Sequence, residues 1–361
     1  MLLHKNKIII AAAGSGKTTR IVEQSIKSKK KSVIVTYTRK NEAEIKKKFY
    51  DLNGSIPNHV MVVTWFRFLL NGWIRPYRNF IYDHRIEGIN FVQSHSTQKN
   101  RISKSQIRYY ITRDHKIHSD KIAEFALKCN DESNGMVLDR LQSLYEHVYI
   151  DEVQDLAGYD LELLETLLQS IFDVTLIGDY RQVTYLTNRS PKNKKYRGRK
   201  IIDKFQEWSK KELCSLQEMT ESYRCNQIIC DFADQIYPDA PQTTSRNTTR
   251  TEHDGIYLVA MQDVDSYINQ YAPQILRYNR KTDCKGYEAI NYGDSKGLTF
   301  DRILVFPYGG LKKLLKSGDY AEVQGSAARV YVAVTRAKYS VAFVYDGSSP
   351  LPTVKTWTHK E

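Results

Sequence analysis

The sequence predicts an α/β protein built from parallel sheets in two lobes, on three observations. A short apolar run, Lys7 to Ala13, leads straight into a glycine-bearing turn and a helix. Apolar strands then alternate with charged helical stretches in "SVIVTYTRKNEAEIKKKF" and "HVMVVTWFRFLL", the strand–helix–strand rhythm of a parallel sheet. The same grammar returns more loosely after Cys214, with strands at "GIYLVA", "DRILVFP" and "SVAFVYD". With 361 residues there is chain enough for two or three cores.

The first element carries the first chemistry. In "KIIIAAAGSGKTTR", Gly14 and Gly16 let the backbone turn tightly after the strand, so that N–H groups around Ala13, Gly14, Ser15 and Gly16 face an anion. Lys17 is placed to reach β- and γ-phosphates, the Thr18 hydroxyl to ligand Mg²⁺, and the helix from Thr19 adds its positive N-terminal end. This is a P-loop, and it implies a nucleoside triphosphate with Mg²⁺. Ala11 departs from the strict pattern, standing where the first glycine would be.

A strand over Ser32 to Thr38 and another ending at Thr64 extend the sheet. From Leu70 to about Glu146 the periodicity is lost among polar, aromatic and basic segments, which reads as a helical or irregular insertion. The sheet resumes at Val148 to Ile150, whose C-terminal end delivers Asp151 and Glu152 side by side; Leu161, Leu163, Leu164, Leu167 and Leu168 then form the apolar side of a helix. A strand through "DVTLIG" ends at Gly178, and helices begin near Asn226 and before Arg336. Opposite a P-loop, Asp151 reads as a Mg²⁺ ligand and Glu152 as the base that orients and deprotonates an attacking water. Gln182 is placed to sense a γ-phosphate, and Arg224 and Arg336 to bring positive charge to the transferring phosphoryl group.

The charge balance points to a polyanionic partner. Lys plus Arg number 54 against 41 Asp plus Glu, a net +13, which favours a nucleic acid over an acidic small molecule. "KSKKK" (Lys27 to Lys31) and "NRSPKNKKYRGRK" (Asn188 to Lys200) contain basic residues and no acid, and 25 tyrosines suit base stacking beside phosphate contacts. Five cysteines without a C-x-x-C pair argue against a disulfide framework or a zinc site and for a reducing compartment. No signal-like or membrane-spanning segment is evident, so a cytoplasmic location and no membrane partner are expected.

Eight blocks in order, "AAAGSGKT", "TYTRKNEAEI", "TWFRFL", "IDEVQD", "IGDYRQVTY", "ESYRCN", "SKGLTFD" and "YVAVTRAK", resemble motifs I, Ia, Ib, II, III, IV, V and VI of the UvrD/Rep/PcrA-like group of superfamily 1 helicases. That group commonly has A-x-x-G-x-G-K-T, which accounts for Ala11. The resemblance implies two RecA-like lobes with ATP between them and single-stranded DNA across their top. It implies a first lobe at 1–69 and 147–213, a reduced 1B-type insertion at 70–146, a second lobe at 214–361, and no large 2B-type subdomain. Residue by residue, it implies that Ala13, Gly14, Ser15, Gly16, Lys17, Thr18 and Thr19, with Gly297, contact ATP, and that Tyr223 stacks on adenine. It further implies that Thr18 and Asp151 serve Mg²⁺, that Glu152 is the base, that Gln182 couples the γ-phosphate to the DNA side, and that Arg224 and Arg336 are arginine fingers. Tyr37 matches a base-stacking aromatic, and Thr36, Thr64 and Tyr185 fall in strand-contacting blocks.

There are departures. Too few residues precede Lys7 for the adenine-reading glutamine segment; Thr187 stands where the group often has tryptophan, with Tyr196 a replacement after an insertion; and Asn291, Gly293 and Thr299 replace the usual threonine, histidine and glutamate of motif V. The activity implied is an ATP-dependent translocase or helicase moving 3′→5′ on single-stranded DNA. Compact relatives occur in mobile elements and antiviral defence systems, some beside OLD-type nucleases. The alternative is therefore a DNA-binding ATPase switch that regulates a nuclease partner.

Overall fold

The computed structural model describes residues 6–92, 96, 102–188 and 190–358. The chain divides into two compact units: residues up to Ile10 with Lys17–Tyr180 and Tyr185–Glu218, and Ala11–Gly16 with Arg181–Thr184 and Met219 onward.

In chain order the first unit contains β1 (Lys7–Ala11), α1 (Lys17–Ser28), β2 (Ser32–Thr36), α2 (Arg39–Asn53), β3 (Val60–Thr64) and α3 (Trp65–Phe68). Next come β4 (Gly88–Asn90), β5 (Lys116–His118), α4 (Ile122–Glu132) and α5 (Met136–Leu144), then β6 (His147–Asp151), α6 (Tyr159–Leu168), β7 (Asp173–Gly178), α7 (Ile201–Lys210) and β8 (Ser215–Met219). The six-stranded sheet runs β3-β2-β6-β7-β1-β8, with parallel pairing from β3 through to β1. Val33, Ile34 and Val35 are buried on both faces of the sheet, which is why β2 reads as an unbroken apolar run. The Thr38 hydroxyl accepts from Asn41 N and starts α2; Gly54, in the left-handed region, ends it. The segment from 70 to 146 holds part of a π-helical turn (Leu69–Ile74), a small parallel pair of β4 with β5, and two helices. β8, which the sequence reading assigns to the second lobe, lies in the first sheet beside β1.

A buried carboxylate fastens this unit together. Asp160 at the start of α6 accepts from Trp65 Nε1 at 2.9 Å and from the Thr187 hydroxyl at 2.6 Å. Burial pushes its pKa up to about 6 against the lowering effect of those bonds. Thr187 is thus a structural donor to Asp160.

The second unit contains β9 (Glu221–Ser222), α8 (Gln227–Gln235), β10 (Thr244–Ser245), β11 (Gly255–Val259), α9 (Val264–Tyr271), β12 (Gln274–Arg277) and β13 (Ile290–Asn291). It ends with β14 (Phe300–Phe306), α10 (Gly309–Ser317), α11 (Ala327–Val334), β15 (Ala337–Val344) and β16 (Val354–Thr356). Its six strands, ordered β13-β12-β14-β15-β11-β16, are all parallel. Asn226 caps α8 by accepting from Ile229 N at 3.1 Å. No helix among the described residues is long and apolar enough to cross a membrane.

Candidate nucleotide and nucleic-acid site

In a parallel sheet every strand ends at the same edge, and in the first unit that edge gathers the predicted residues. β6 ends at Asp151, which is buried, and Glu152 follows in the left-handed region at φ 57°. Thr18 Oγ1 lies 3.5 Å from Asp151 Oδ2, and Glu152 N donates to Asp151 Oδ1 at 3.0 Å. Burial and the neighbouring Glu152 carboxylate raise the Asp151 pKa to about 7, while the Lys17 charge pulls it down. Hydroxyl and carboxylate oxygens facing one another are a donor set that suits Mg²⁺, which takes few protein ligands and keeps its waters. Among the described residues, no group of three or more His, Cys, Asp or Glu offers an alternative metal cage.

The loop itself, Ala11–Gly16, groups with the second unit. Within that unit Tyr223 N donates to Gly14 O at 2.9 Å and the Ser222 hydroxyl to Ala13 O at 2.8 Å. Gly14 is required twice over: its φ is +74°, and a Cβ there would meet Arg224 Cβ at 2.6 Å and Ser222 Oγ at 2.8 Å. The Ser15 hydroxyl is buried without a hydrogen-bond partner, the condition of a donor whose phosphate acceptor is a ligand. Tyr223 keeps its ring 62% exposed and donates its hydroxyl to Glu221 at 3.0 Å. Arg224 Nη1 donates to Thr335 O at 3.1 Å.

Arg336 differs from the sequence expectation of a residue poised for phosphate alone. It is 1% exposed, and its guanidinium donates to Val332 O at 2.8 Å, Leu298 O at 3.2 Å, the Thr335 hydroxyl at 3.1 Å and Gln182 Oε1 at 3.3 Å. Gly297, at φ +84°, turns the chain just before that Leu298 carbonyl. Gln182 is also buried, so this pair, predicted separately, forms one contact.

The nucleic-acid residues divide. Tyr37, just beyond β2, lies 5.6 Å from Phe66 and 5.7 Å from Tyr185 between ring centroids, and Phe66 lies 5.9 Å from Phe91. The result is a row of four rings, Tyr185–Tyr37–Phe66–Phe91, with Tyr185 36% and Phe91 72% exposed at its ends. Burial, with Asp160 and Asp155 nearby, pushes the Tyr37 phenol up to about 12. Phe66 and Phe91 are absent from the sequence reading. Phe66 was open to it, since it follows the end of β3 much as Tyr37 follows β2; Phe91 belongs to the aperiodic insertion. Thr64 ends β3 beside this row, whereas Thr36 is buried with its hydroxyl shielded from solvent. Tyr196 is no stacking replacement either: it is buried and hydrogen-bonded to Glu207. Of the basic clusters, Lys30 pairs with Asp173 at 2.8 Å and Lys192 with Glu162 at 3.3 Å; Lys194, Lys195, Arg199 and Lys200 are exposed, and Arg189 lies outside the described residues.

The family description "AAA domain" (AAA_19) matches residues 1–188, more than half of the 361. The chain belongs to this family. Comparison with curated proteins found no match. Among solved structures, the chain is similar to the arterivirus nonstructural protein 10 helicase, with TM-score 0.49 and 14% identity over 94% of this chain and 59% of that one. A complex of that helicase with DNA gives TM-score 0.49 and 14% identity over 96% and 61%. The chain thus spans about three fifths of the length of those proteins. This AAA domain member carries both its loop and its strand-end carboxylates within the matched residues.

Proposed function

We propose that the chain is an ATP-dependent translocase or helicase of the UvrD-like type, acting 3′→5′ on single-stranded DNA. One observation carries the reading: the strand-end carboxylates and the aromatic row leave the same edge of one parallel sheet. Asp151 and Glu152 follow β6; Tyr37 follows its direct neighbour β2, and Phe66 follows β3. Adjacent strands lie about 4.8 Å apart, so chemistry on the nucleotide and grip on a base are separated by one strand spacing at the backbone.

In this reading Lys17 and the loop N–H groups hold the phosphates, and Thr18 with Asp151 would hold Mg²⁺, which would supply positive charge against the phosphates. Glu152 accepts a proton from water as its oxygen attacks the γ-phosphorus; the bond to the bridging oxygen breaks and ADP leaves. Arg224 and Arg336 supply charge as the transition state forms. Each stroke shifts the preferred conformation, because ATP and ADP bind its states unequally.

The test is steady-state ATP hydrolysis with and without single-stranded DNA at low salt, with single-stranded RNA in parallel. Strong stimulation by DNA supports the motor. No binding and no acceleration by either strand refutes it and leaves the partner-controlled switch.

A further inference from the structure

We propose that Gln154 is a positioning residue for ATP hydrolysis: it holds the Glu152 carboxylate and ties it to the end of β7, in a space that only glycine at position 178 leaves open. The inference rests on Glu152 being the general base.

Gln154 is 1% exposed, yet its amide makes two specific bonds. Its Nε2 donates to Glu152 Oε2, and its Oε1 accepts from Asp179 N at 3.0 Å. The orientation is forced. A backbone N–H can only donate, so the amide oxygen must face Asp179, which leaves the NH₂ toward a carboxylate that only accepts when ionised. Among side chains of this length only glutamine does both: glutamate would accept from Asp179 but repel Glu152, and methionine would do neither.

Glu152 needs such a hold. Its backbone sits in the left-handed region at the start of the Val153–Asp155 turn, and its side chain has three torsions to fix before its oxygen can face a water. β6 and β7 are neighbours in register, Asp151 opposite Ile177, so Gln154 bridges two adjacent strand ends.

Gly178 is the second half of the device. Its φ lies outside the left-handed region, so its backbone does not require glycine. The space does: a Cβ at 178 would fall well inside contact distance of Gln154 Oε1 and 3.0 Å from Val153 Cγ1. Adding one methyl would push the amide off Asp179 N and turn it away from Glu152.

The experiment compares Gln154→Met, Gln154→Glu and Gly178→Ala in steady-state ATP hydrolysis, with binding of a fluorescent non-hydrolysable ATP analogue and thermal melting measured alongside. Gln154→Met should lower kcat by on the order of ten- to a hundredfold, with analogue affinity changed by less than about twofold, because displacing a reacting group by about 1 Å has effects of that size. Gln154→Glu, which keeps the bond to Asp179, should lose more, and Gly178→Ala should follow Gln154→Met. The decisive comparison is made in a Glu152→Gln background. There, adding Gln154→Met should cost no further activity, since the residue acts through Glu152. Wild-type kcat in Gln154→Glu, or the same fold loss from Gln154→Met in both backgrounds, overturns the proposal. Should Gln154→Met fail to fold, the other two variants decide it by the same criteria. Full turnover in Glu152→Gln alone would instead overturn the general-base assignment, and this inference with it.

Discussion

Replacing Phe91 by alanine isolates the aromatic row from the fold that carries it. The ring is 72% exposed and its ring neighbour in the row is Phe66, 5.9 Å away in an edge-to-face arrangement. Losing that pair costs at most about 0.5–1.5 kcal/mol, and less at so exposed a site. If a base stacks on Phe91, the substitution removes about 1–3 kcal/mol of binding, which is about 5- to 150-fold in Kd. Tyr37→Ala is the poorer probe. That ring touches Phe66 at 5.6 Å and Tyr185 at 5.7 Å, so its removal strips two pairs and unseats the row as well as its own stacking surface. The assay is fluorescence anisotropy of a labelled oligo-dT across a salt series, with thermal melting to show that the fold is retained. Stacking loss should persist at every salt concentration, whereas neutralising Lys194, Lys195 and Lys200 should matter mainly at low salt, where released counterions drive binding. A Phe91→Ala protein that binds within twofold of wild type throughout the series would show that no base stacks at the insertion end of the row.

Other outcomes follow from the site. Lys17→Ala should abolish tight ATP binding, whereas Glu152→Gln should keep it and lose hydrolysis; retained turnover in Glu152→Gln would sink the assignment. Arg224→Ala and Arg336→Ala should each lower turnover by on the order of 10³, and Arg336→Ala should also melt several degrees lower because it abandons the buried acceptors on Val332 and Leu298. Equal melting temperatures would refute that second role. His253 is buried between the Tyr257 and Tyr271 rings, with Nε2 2.9 Å from the Tyr267 hydroxyl, and burial drives its pKa from 6.5 down to about 4. A depressed pKa means that the proton prefers the unfolded chain, so stability present above pH 6.5 is lost as pH falls toward 4, by up to about 3 kcal/mol. The raised carboxyls of Asp151 and Asp160 favour the fold as pH falls while His147, lowered to about 4, disfavours it, so the check is a difference: urea melts at pH 7 and 4.5 should show wild type losing stability relative to His253→Phe. An unchanged pH dependence in His253→Phe would refute the attribution.

How far the sequence could be read depended on whether a feature was local. The loop, its helix and the Asp151–Glu152 pair were legible because a buried parallel strand is a continuous apolar run and the chemistry begins at its last residue. β8 was not legible as part of the first sheet: as an edge strand it reads "SLQEM", half polar, and nothing nearby says which sheet it joins. Thr36 and Tyr37 are neighbours in one motif block, yet the first is buried at a strand end and the second lies on the edge of the sheet. The Gln154 bridge and the Arg336–Gln182 contact join residues whose meeting depends on strand register or on a fold between distant segments. Periodicity carries no such information.

The position of β1 in its sheet also orders the birth of the fold. This strand precedes the others of its sheet in the chain, yet its neighbours are β7 and β8, with Lys7 opposite Thr175. The central strand β6 likewise follows the whole insertion, so the earliest available pairing is β2 with β3. β1 and the loop after it must therefore wait unpaired until β7 has been made, and closing so long a loop is slow. Fragments that end before β8 should leave an apolar β1 with an open edge and invite aggregation or chaperone capture.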